Sequence, residues 1–197
     1  MPWETTFDEA EALDRAMKIF WAKGFEATSM SDLIKVMGIN KGSLYNTFGS
    51  KQKLFTKAVR QYKRANHEGA IAHLEQMDDP VKAIGTLFDG LIAETEEDAA
   101  QDERKGCLLV NTALELPSHS NDLREMVSGA LRDLERFFER SIRLGQERGE
   151  ISTSIDPAQV ATSLLSQVVG LRVLARGAFS PERLYAIRDQ ALAQIAP

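Results

Sequence analysis

Apolar side chains recur every three or four positions along nearly the whole chain of 197 residues, which is the spacing of one face of an α-helix. Leu33 and Met37 stand four apart in the run 30–37, and Leu44 and Phe48 do the same in the run 41–48. No stretch alternates apolar and polar residues at period two, as a half-buried strand does. The pattern therefore predicts an all-α protein of about nine helices.

Residues that start and stop helices divide this pattern into elements. Glycines after apolar runs are expected to end four helices: Gly24, Gly38, Gly49 and Gly149. Prolines in the first turn are expected to open three others: Pro80, Pro157 and Pro181. The acidic stretch 94–103 is expected to fray or to form an exposed loop.

A turn of three residues, Gly38-Ile39-Asn40, separates two of the short helices. Two helices joined by a short turn that contains glycine are typical of the helix-turn-helix motif. In that motif the second helix lies in the major groove of DNA. We expect Ile39 to be buried between the two helices and Asn40 to cap the second.

The helix at 41–48 carries a mixture of side chains that suits DNA recognition. With Leu44 and Phe48 on the buried face, the outward set is basic, hydroxylic, aromatic and amide: Lys41, Ser43, Tyr45, Asn46 and Thr47. Lysine can bind guanine or phosphate, and asparagine can pair with adenine. Gly42 would let the backbone approach a duplex closely. Tyr45 taken alone also fits a half-buried core position.

Charge is distributed unevenly between the two ends of the chain. The whole chain has a net charge of −5, but residues 1–66 carry eleven Lys/Arg and seven Asp/Glu, a net of +4. Eight bases and no acid lie between Asp32 and Glu68. This asymmetry favours a polyanion-binding segment attached to an acidic body. On charge alone, a lysine-rich solvated helix face remains the alternative.

The basic segment resembles the N-terminal domain of TetR-family transcriptional regulators over about residues 7–60. The resemblance is carried by these motifs: GFEATSM at 24–30, Ile34 to Ile39, Lys41-Gly42-Ser43-Leu44-Tyr45, Phe48, and Ser50-Lys51. It implies an all-helical homodimer in which each subunit has a DNA-reading domain. It also implies a larger domain that binds a small effector and dimerises through its last two helices.

The same resemblance implies roles for individual residues. Four are expected to contact phosphate: Thr28, Lys41, Tyr45 and Lys51. Three are expected at base edges: Gly42, Ser43 and Asn46. The family often has a second aromatic residue where this chain has Asn46 and a histidine where it has Thr47. The operator sequence therefore cannot be taken from better-known relatives.

The chain is expected to consist of three segments with separate functions. Residues 1–50 form the helix-turn-helix DNA-binding domain, residues 51–66 a connecting helix, and residues 67–197 the effector-binding and dimerisation domain. Apolar residues of the last segment are the candidate walls of an effector pocket: Phe88, Leu91, Cys107, Leu109, Leu114 and Phe137. Each of these also fits ordinary core packing.

Cys107, the single cysteine, has two interpretations. The segment 106–111 (GCLLVN) resembles one found in a subgroup of the family, some of whose members respond to electrophiles through a cysteine. The other interpretation is a small buried residue that opens an apolar helix, because free cysteine is among the most buried residue types.

The helix that begins near Pro157 is apolar nearly all round, which is typical of a helix buried on more than one side. One side can pack in its own subunit and the other against a partner, so we expect a two-fold homodimer. Its predicted contact residues are Leu164, Leu165, Val168, Val169, Leu171, Leu184 and Ile187.

Other classes of protein lack their signals in this sequence. No nucleophile, phosphate-loop or metalloprotease motif is present, and His67, His73 and His119 lack metal-ligand spacing. We therefore expect no catalysis, metal or cofactor. The start of the chain has no secretory signal, and the charge-free stretch 157–171 is shorter than the roughly 20 residues of a membrane span. These features predict a cytoplasmic protein with no membrane contact.

The favoured function is a sequence-specific transcriptional regulator that binds double-stranded DNA. We expect a repressor that is released from an inverted-repeat operator by a small-molecule effector. Two alternatives belong to other classes: a helical enzyme that uses the cavity of the larger domain, and a protein-interaction module whose basic segment binds an acidic protein.

Overall fold

The computed structural model describes residues 7–100, 104–115, 120–177 and 179–196. Within these residues the chain forms nine helices and no strand, which confirms the predicted class. The helices are α1 (Glu9–Lys23), α2 (Met30–Met37), α3 (Lys41–Phe48), α4, α5 (Pro80–Ala100), α6 (Leu108–Glu115), α7 (Asn121–Glu147), α8 (Pro157–Arg176) and α9 (Pro181–Ala193). The α4 helix is continuous but changes its winding: it is α-helical at Lys51–Tyr62, π-helical at Lys63–Glu68 and α-helical again at Gly69–Glu75.

Local side-chain caps fix the ends of the first helices. Ser29 and Asp32 form a capping box at the start of α2, in which each side chain satisfies a backbone donor of the other residue. Gly38 ends α2 in the left-handed conformation, with φ 68°, which glycine adopts without steric cost. Asn40 then caps α3 by accepting a hydrogen bond from the backbone N of Ser43 at 2.8 Å. The predicted helix-turn-helix is thus formed.

The first hydrophobic core joins the N-terminal helices to part of the larger domain. At its centre the rings of Phe20 in α1 and Phe55 in α4 pack edge to face, with centroids 4.9 Å apart. Leu108 of α6 and Leu123 and Val127 of α7 are buried in the same cluster. The helix-turn-helix is therefore held against α6 and α7, while the expected division at residues 50 and 66 stays a prediction.

The second hydrophobic core lies among α5, α7, α8 and α9 and the end of α4. Here α5 is longer than the sequence suggested, because it continues to Ala100. The expected loop at 94–103 is therefore wrong for residues 94–100, and residues 101–103 lie outside the described part of the chain. The acidic side chains of this stretch sit on a helix that packs against α7, α8 and α9.

Four of the seven residues predicted to contact a partner subunit are instead buried in this second core: Leu164, Val168, Leu171 and Leu184. The other three are half-buried: Leu165, Val169 and Ile187. A pattern that is apolar nearly all round does not show which face turns inward, and the packing of α7 on α8 decides it. For the four buried residues the prediction of a dimer contact is wrong.

By length and composition α8 could cross a membrane, with a mean hydropathy of 1.3 over 18 residues. A helix in the core of a globular protein meets the same criterion. In this fold α8 packs along α7 and α9, and it carries the charged Arg172 and Arg176 near its end.

Candidate DNA interface and ligand cavity

One face of α3 is open and chemically suited to a DNA groove. Leu44 and Phe48 are buried beneath the helix, whereas Lys41, Tyr45 and Asn46 are exposed. Tyr45 leaves 42 % of its surface accessible, which is large for an aromatic residue. Tyr45 is therefore not enclosed in the core, although part of its surface is covered.

The two small residues of α3 lie beside its cap. A Cβ placed on Gly42 would come 3.3 Å from Oδ1 of Asn40, so the absence of a side chain also protects the cap. Ser43 donates its backbone N–H to the same oxygen, and its side chain is half-exposed. Both residues remain on the open side of the helix, where the sequence placed them.

Thr28 does not lie where a phosphate contact requires it. Its side chain has no exposed surface, and its hydroxyl donates to the carbonyl oxygen of Gly24 at 2.7 Å. The hydroxyl therefore fixes the turn between α1 and α2. The predicted phosphate contact is wrong for this side chain.

Basic side chains surround the exposed face of α3. Lys51, a predicted phosphate contact, is half-exposed at the start of α4 and has its Nζ 4.3 Å from the centre of the Phe25 ring. Four other bases of the basic segment, which were assigned no individual contact role from the sequence, are exposed as well: Lys35, Lys53, Lys57 and Arg60. Within the described residues, Lys63 alone of the eight bases between Asp32 and Glu68 forms an ion pair. Seven of the bases are thus available to a polyanion.

A cavity of 330 Å³ lies among α4 to α8, with Trp21 of α1 at one side. Most of its wall is apolar and comes from α4 to α8, including Ile71, Leu91, Leu109, Leu134 and Val168. This volume is at the lower end of the range for small-molecule sites. The cavity can therefore hold a compact, largely apolar ligand.

Two aromatic residues of the N-terminal helices close one side of the cavity. Trp21 of α1 and Tyr62 of α4 pack edge to face, with ring centroids 4.9 Å apart, and both line the cavity. The Tyr62 hydroxyl contacts Sγ of Cys107 at 3.7 Å. Burial, together with the neighbouring Cys107, raises the pKa of Tyr62 well above its usual value. Tyr62 therefore stays a neutral hydrogen-bond donor.

One buried cation faces the cavity. Nη2 of Arg172 lies 2.7 Å from Oε2 of Glu94; the Arg172 side chain is 11 % exposed and the Glu94 side chain 59 %. Burial works against the charge on Arg172, but the nearby Cys107, Glu94 and Tyr62 outweigh it and raise its pKa. The guanidinium is therefore permanently charged and needs an anionic neighbour.

Comparison with known proteins identifies the family. Residues 12–58 match the family model of bacterial regulatory proteins of the tetR family, and residues 80–191 match that of the tetracyclin repressor-like C-terminal domain. The chain belongs to the TetR family. It is accordingly a helix-turn-helix transcriptional regulator that binds DNA.

Individual TetR-family relatives cover nearly the whole chain. The HTH-type transcriptional repressor ComR of Escherichia coli K12 is 30 % identical over 187 residues, which are 94 % of this chain and 88 % of ComR. The regulator YezE of Bacillus subtilis 168 is 29 % identical over 90 % of this chain and 91 % of its own. A solved structure of the TetR-family regulator CifR, a cysteine mutant bound to 26-bp operator DNA, is 29 % identical. Its TM-score is 0.82, with 96 % of this chain and 97 % of CifR covered.

Six residues of this TetR-family chain were predicted from sequence to line an effector pocket, and three of them line the cavity. Leu91, Cys107 and Leu109 line it. Phe88 and Phe137 are instead buried in the second core, and Leu114 is 68 % exposed on α6. For these three the prediction is wrong. Helical spacing indicates that a side chain lies on an apolar face, but it does not show whether that face lines the cavity or packs in the solid core.

The polar part of the cavity wall was missed from sequence. It comprises Asn66, His67, Glu94, Glu97, Asp98 and Arg172. The signal that could have found Arg172 is a base one turn before the end of an otherwise apolar helix. Among the described residues, no group of three or more His, Cys, Asp or Glu is arranged to hold a metal ion, and His119 lies outside them.

Proposed function

We propose that this TetR-family regulator is a homodimeric repressor that binds an inverted-repeat operator and leaves it when a small molecule fills the cavity. The observation that carries the proposal is the α3 face, where Lys41, Tyr45 and Asn46 are exposed above buried Leu44 and Phe48. The repressor name of ComR and the operator complex of CifR support it. These supports favour it over an enzyme or a protein-interaction module. We place it in the cytoplasm with its DNA.

The exposed residues divide into two roles on a duplex. Lys41, Tyr45 and Lys51 contact phosphates and fix the position of α3, since such contacts carry no sequence information. Ser43 and Asn46 face base edges, where an asparagine amide can pair with adenine. Gly42 allows close approach of the backbone. Lys53 and Lys57 at the start of α4 add to the phosphate contacts.

Exposed apolar surface supports a homodimer formed by the last two helices. Of the described large apolar residues, five are exposed: Tyr45, Leu114, Val173, Phe179 and Tyr185. The last three lie between the last turn of α8 and the first half of α9, the two helices that also carry half-buried Leu165, Val169 and Ile187. A surface of this kind favours association. In a two-fold dimer the same surface of both subunits forms the contact.

The cavity wall suggests how ligand binding reaches the DNA. Trp21 and Tyr62 belong to the helices that hold the helix-turn-helix, so a ligand against them contacts both parts of the subunit. A dimer reads successive major grooves only when its recognition helices are about 34–36 Å apart. A ligand that prefers another spacing shifts the population away from DNA.

Selection of bound duplexes from a random library tests the proposed DNA binding. We expect an inverted repeat with one half-site for each α3. In the same protein, sedimentation should show a dimer, and Val173→Asp should produce a monomer that binds the repeat weakly. Recovery of unrelated sequences would contradict the operator, and a wild-type monomer at micromolar concentration would contradict the dimer.

A further inference from the structure

The two side chains of the Arg172–Glu94 ion pair differ in their exposure to water. The Arg172 guanidinium is largely withdrawn from water, whereas most of the Glu94 side chain remains in it. Nη2 of Arg172 and Oε2 of Glu94 are 2.7 Å apart. The anionic partner of the buried Arg172 is therefore a side chain that can move fully into water.

We propose that the ligand of the cavity is a small amphipathic monocarboxylate whose carboxylate replaces Glu94 on Arg172. This rests on the proposed function, in which the cavity is the effector site. The apolar body of the ligand would lie against Ile71, Leu91 and Leu134, which line the same cavity. The exchange keeps one negative charge beside one buried positive charge, and Glu94 returns to solvent.

Other charge classes fit the cavity less well. A cationic ligand would have to draw Glu94 away, which leaves the buried Arg172 unpaired, and an unpaired buried charge is strongly unfavourable. A dianion would leave one excess negative charge in a mostly apolar space. Glu97 and Asp98 also line the cavity, one turn farther along α5. Glu97 is exposed, so water and salt screen its repulsion of a ligand at Arg172.

Matched ligands separate these classes. Hexanoate, octanoate and phenylbutanoate, each with its amide and its amine, are titrated into the full-length protein by calorimetry. We expect at least one carboxylate to bind about tenfold more tightly than its amide, since hydrogen bonds between ions are about twice as strong as neutral ones. The amines should bind most weakly. If no carboxylate binds more tightly than its amide, or if an amine binds best, the proposal is overturned.

Two substitutions should act in opposite directions. Arg172→Gln should weaken binding of the carboxylate by about tenfold and leave its amide unchanged, because the charge-assisted bond is lost. Glu94→Gln should tighten binding of the carboxylate several-fold, because the competing anion is gone. A purely structural role would weaken binding in both variants, which would overturn the proposal. Glu94 is largely exposed, so its variant is informative even if Arg172→Gln fails to fold.

Operator release is measured separately from binding. A carboxylate that binds as described but leaves the selected duplex bound would support the ligand class and contradict effector release. An amine that binds best and releases the duplex would contradict the ligand class and support effector release. The two proposals can therefore fail independently.

Discussion

The indole Nε1 of Trp21 donates a hydrogen bond to the carbonyl oxygen of Gly106, 2.8 Å away. Trp21 belongs to α1, which packs against α2 of the helix-turn-helix, and Gly106 lies just before α6 in the larger domain. The backbone at Gly106 is held in turn by Asn111, whose side-chain Nδ2 donates to the carbonyl oxygen of Lys105 at 2.9 Å. This bond ties the DNA-binding helices to the segment that carries Cys107.

Trp21→Phe should loosen this connection. The ring can still pack on Tyr62, but the Gly106 carbonyl loses its donor, so we expect the free energy of unfolding to fall by about 0.5–1.5 kcal/mol from the hydrogen bond, with a further loss from the smaller ring. Urea denaturation measures the change. Tyr62→Phe is the control, because it keeps the ring and removes only a weak contact with sulfur. An equal or larger loss in the control would show that the bond to Gly106 contributes little.

Lys41→Ala and Asn46→Ala should affect DNA binding differently. Loss of a phosphate contact at Lys41 should weaken binding to all duplexes and reduce the salt slope by about 1. Loss of a base contact at Asn46 should relax preference at one base pair by about 1–3 kcal/mol. Fluorescence anisotropy on selected and scrambled duplexes over a range of salt concentrations measures both. Wild-type behaviour of both variants would show that the assigned roles are wrong.

Two glycines of α7 should respond in opposite ways to alanine. A Cβ on Gly145 would lie 2.6 Å from Cδ1 and 2.7 Å from Cγ1 of Ile151, whereas a Cβ on Gly129 would have nothing within 4 Å. We expect Gly145→Ala to lower the free energy of unfolding by about 1–3 kcal/mol through overpacking. Gly129→Ala should raise it by up to about 1 kcal/mol through helix propensity.

Thermal and urea unfolding of the two variants checks this pair. The alanines are in the same helix, so a common effect on helix propensity cancels in their difference. If Gly145→Ala proved as stable as Gly129→Ala, the contact between α7 and Ile151 would have to be looser than described.

Acid should destabilise the protein partly through His67. Its Nε2 is buried without a hydrogen-bond partner, and burial lowers its pKa, although Asp133 acts in the opposite direction. Because the folded pKa lies below the unfolded one, His67 contributes no penalty above about pH 6.5. Stability is then lost as pH falls through the folded pKa, by at most about 1.4 kcal/mol per pH unit for one proton.

The pH dependence of His67→Gln isolates this contribution. Between pH 7 and pH 5 the variant should lose less stability than the wild type, as measured by urea midpoints. His73→Gln, at an exposed position on the same helix, serves as the control and should follow the wild type. Parallel curves for all three proteins would show that His67 does not titrate with folding.

Local features made the helix-turn-helix predictable from sequence. The apolar spacing of α2 and α3, the glycine between them and the cap at Asn40 all act within a few residues, and the structure has each where expected. Thr28 shows that a residue role implied by a family resemblance can fail in an individual chain. Its burial depends on a carbonyl of the α1–α2 turn, which no property of threonine indicates.

The ligand cavity could not be predicted from sequence in full, because it is formed by contacts between distant parts of the chain. Glu94 and Arg172 are far apart in sequence and meet because α5 and α8 pack together. The faces of α8 were ambiguous for the same reason, since apolar residues lie nearly all round it. Which of them turned inward was decided by α7 and α9 and not by α8 itself.

The π-helical segment of α4 determines which side chains reach the cavity. An α-helix turns by about 100° per residue, so nine residues of regular helix would set Tyr62 and Ile71 on opposite sides of the axis. The wider winding at Lys63–Glu68 turns less per residue, and both side chains line the same wall, together with Asn66 and His67. The winding of α4 thus brings side chains from its DNA-binding end and from its other end to the same wall of the cavity. Rewinding that segment as regular α-helix without changing its length would turn Ile71 to the far side of the axis from Tyr62.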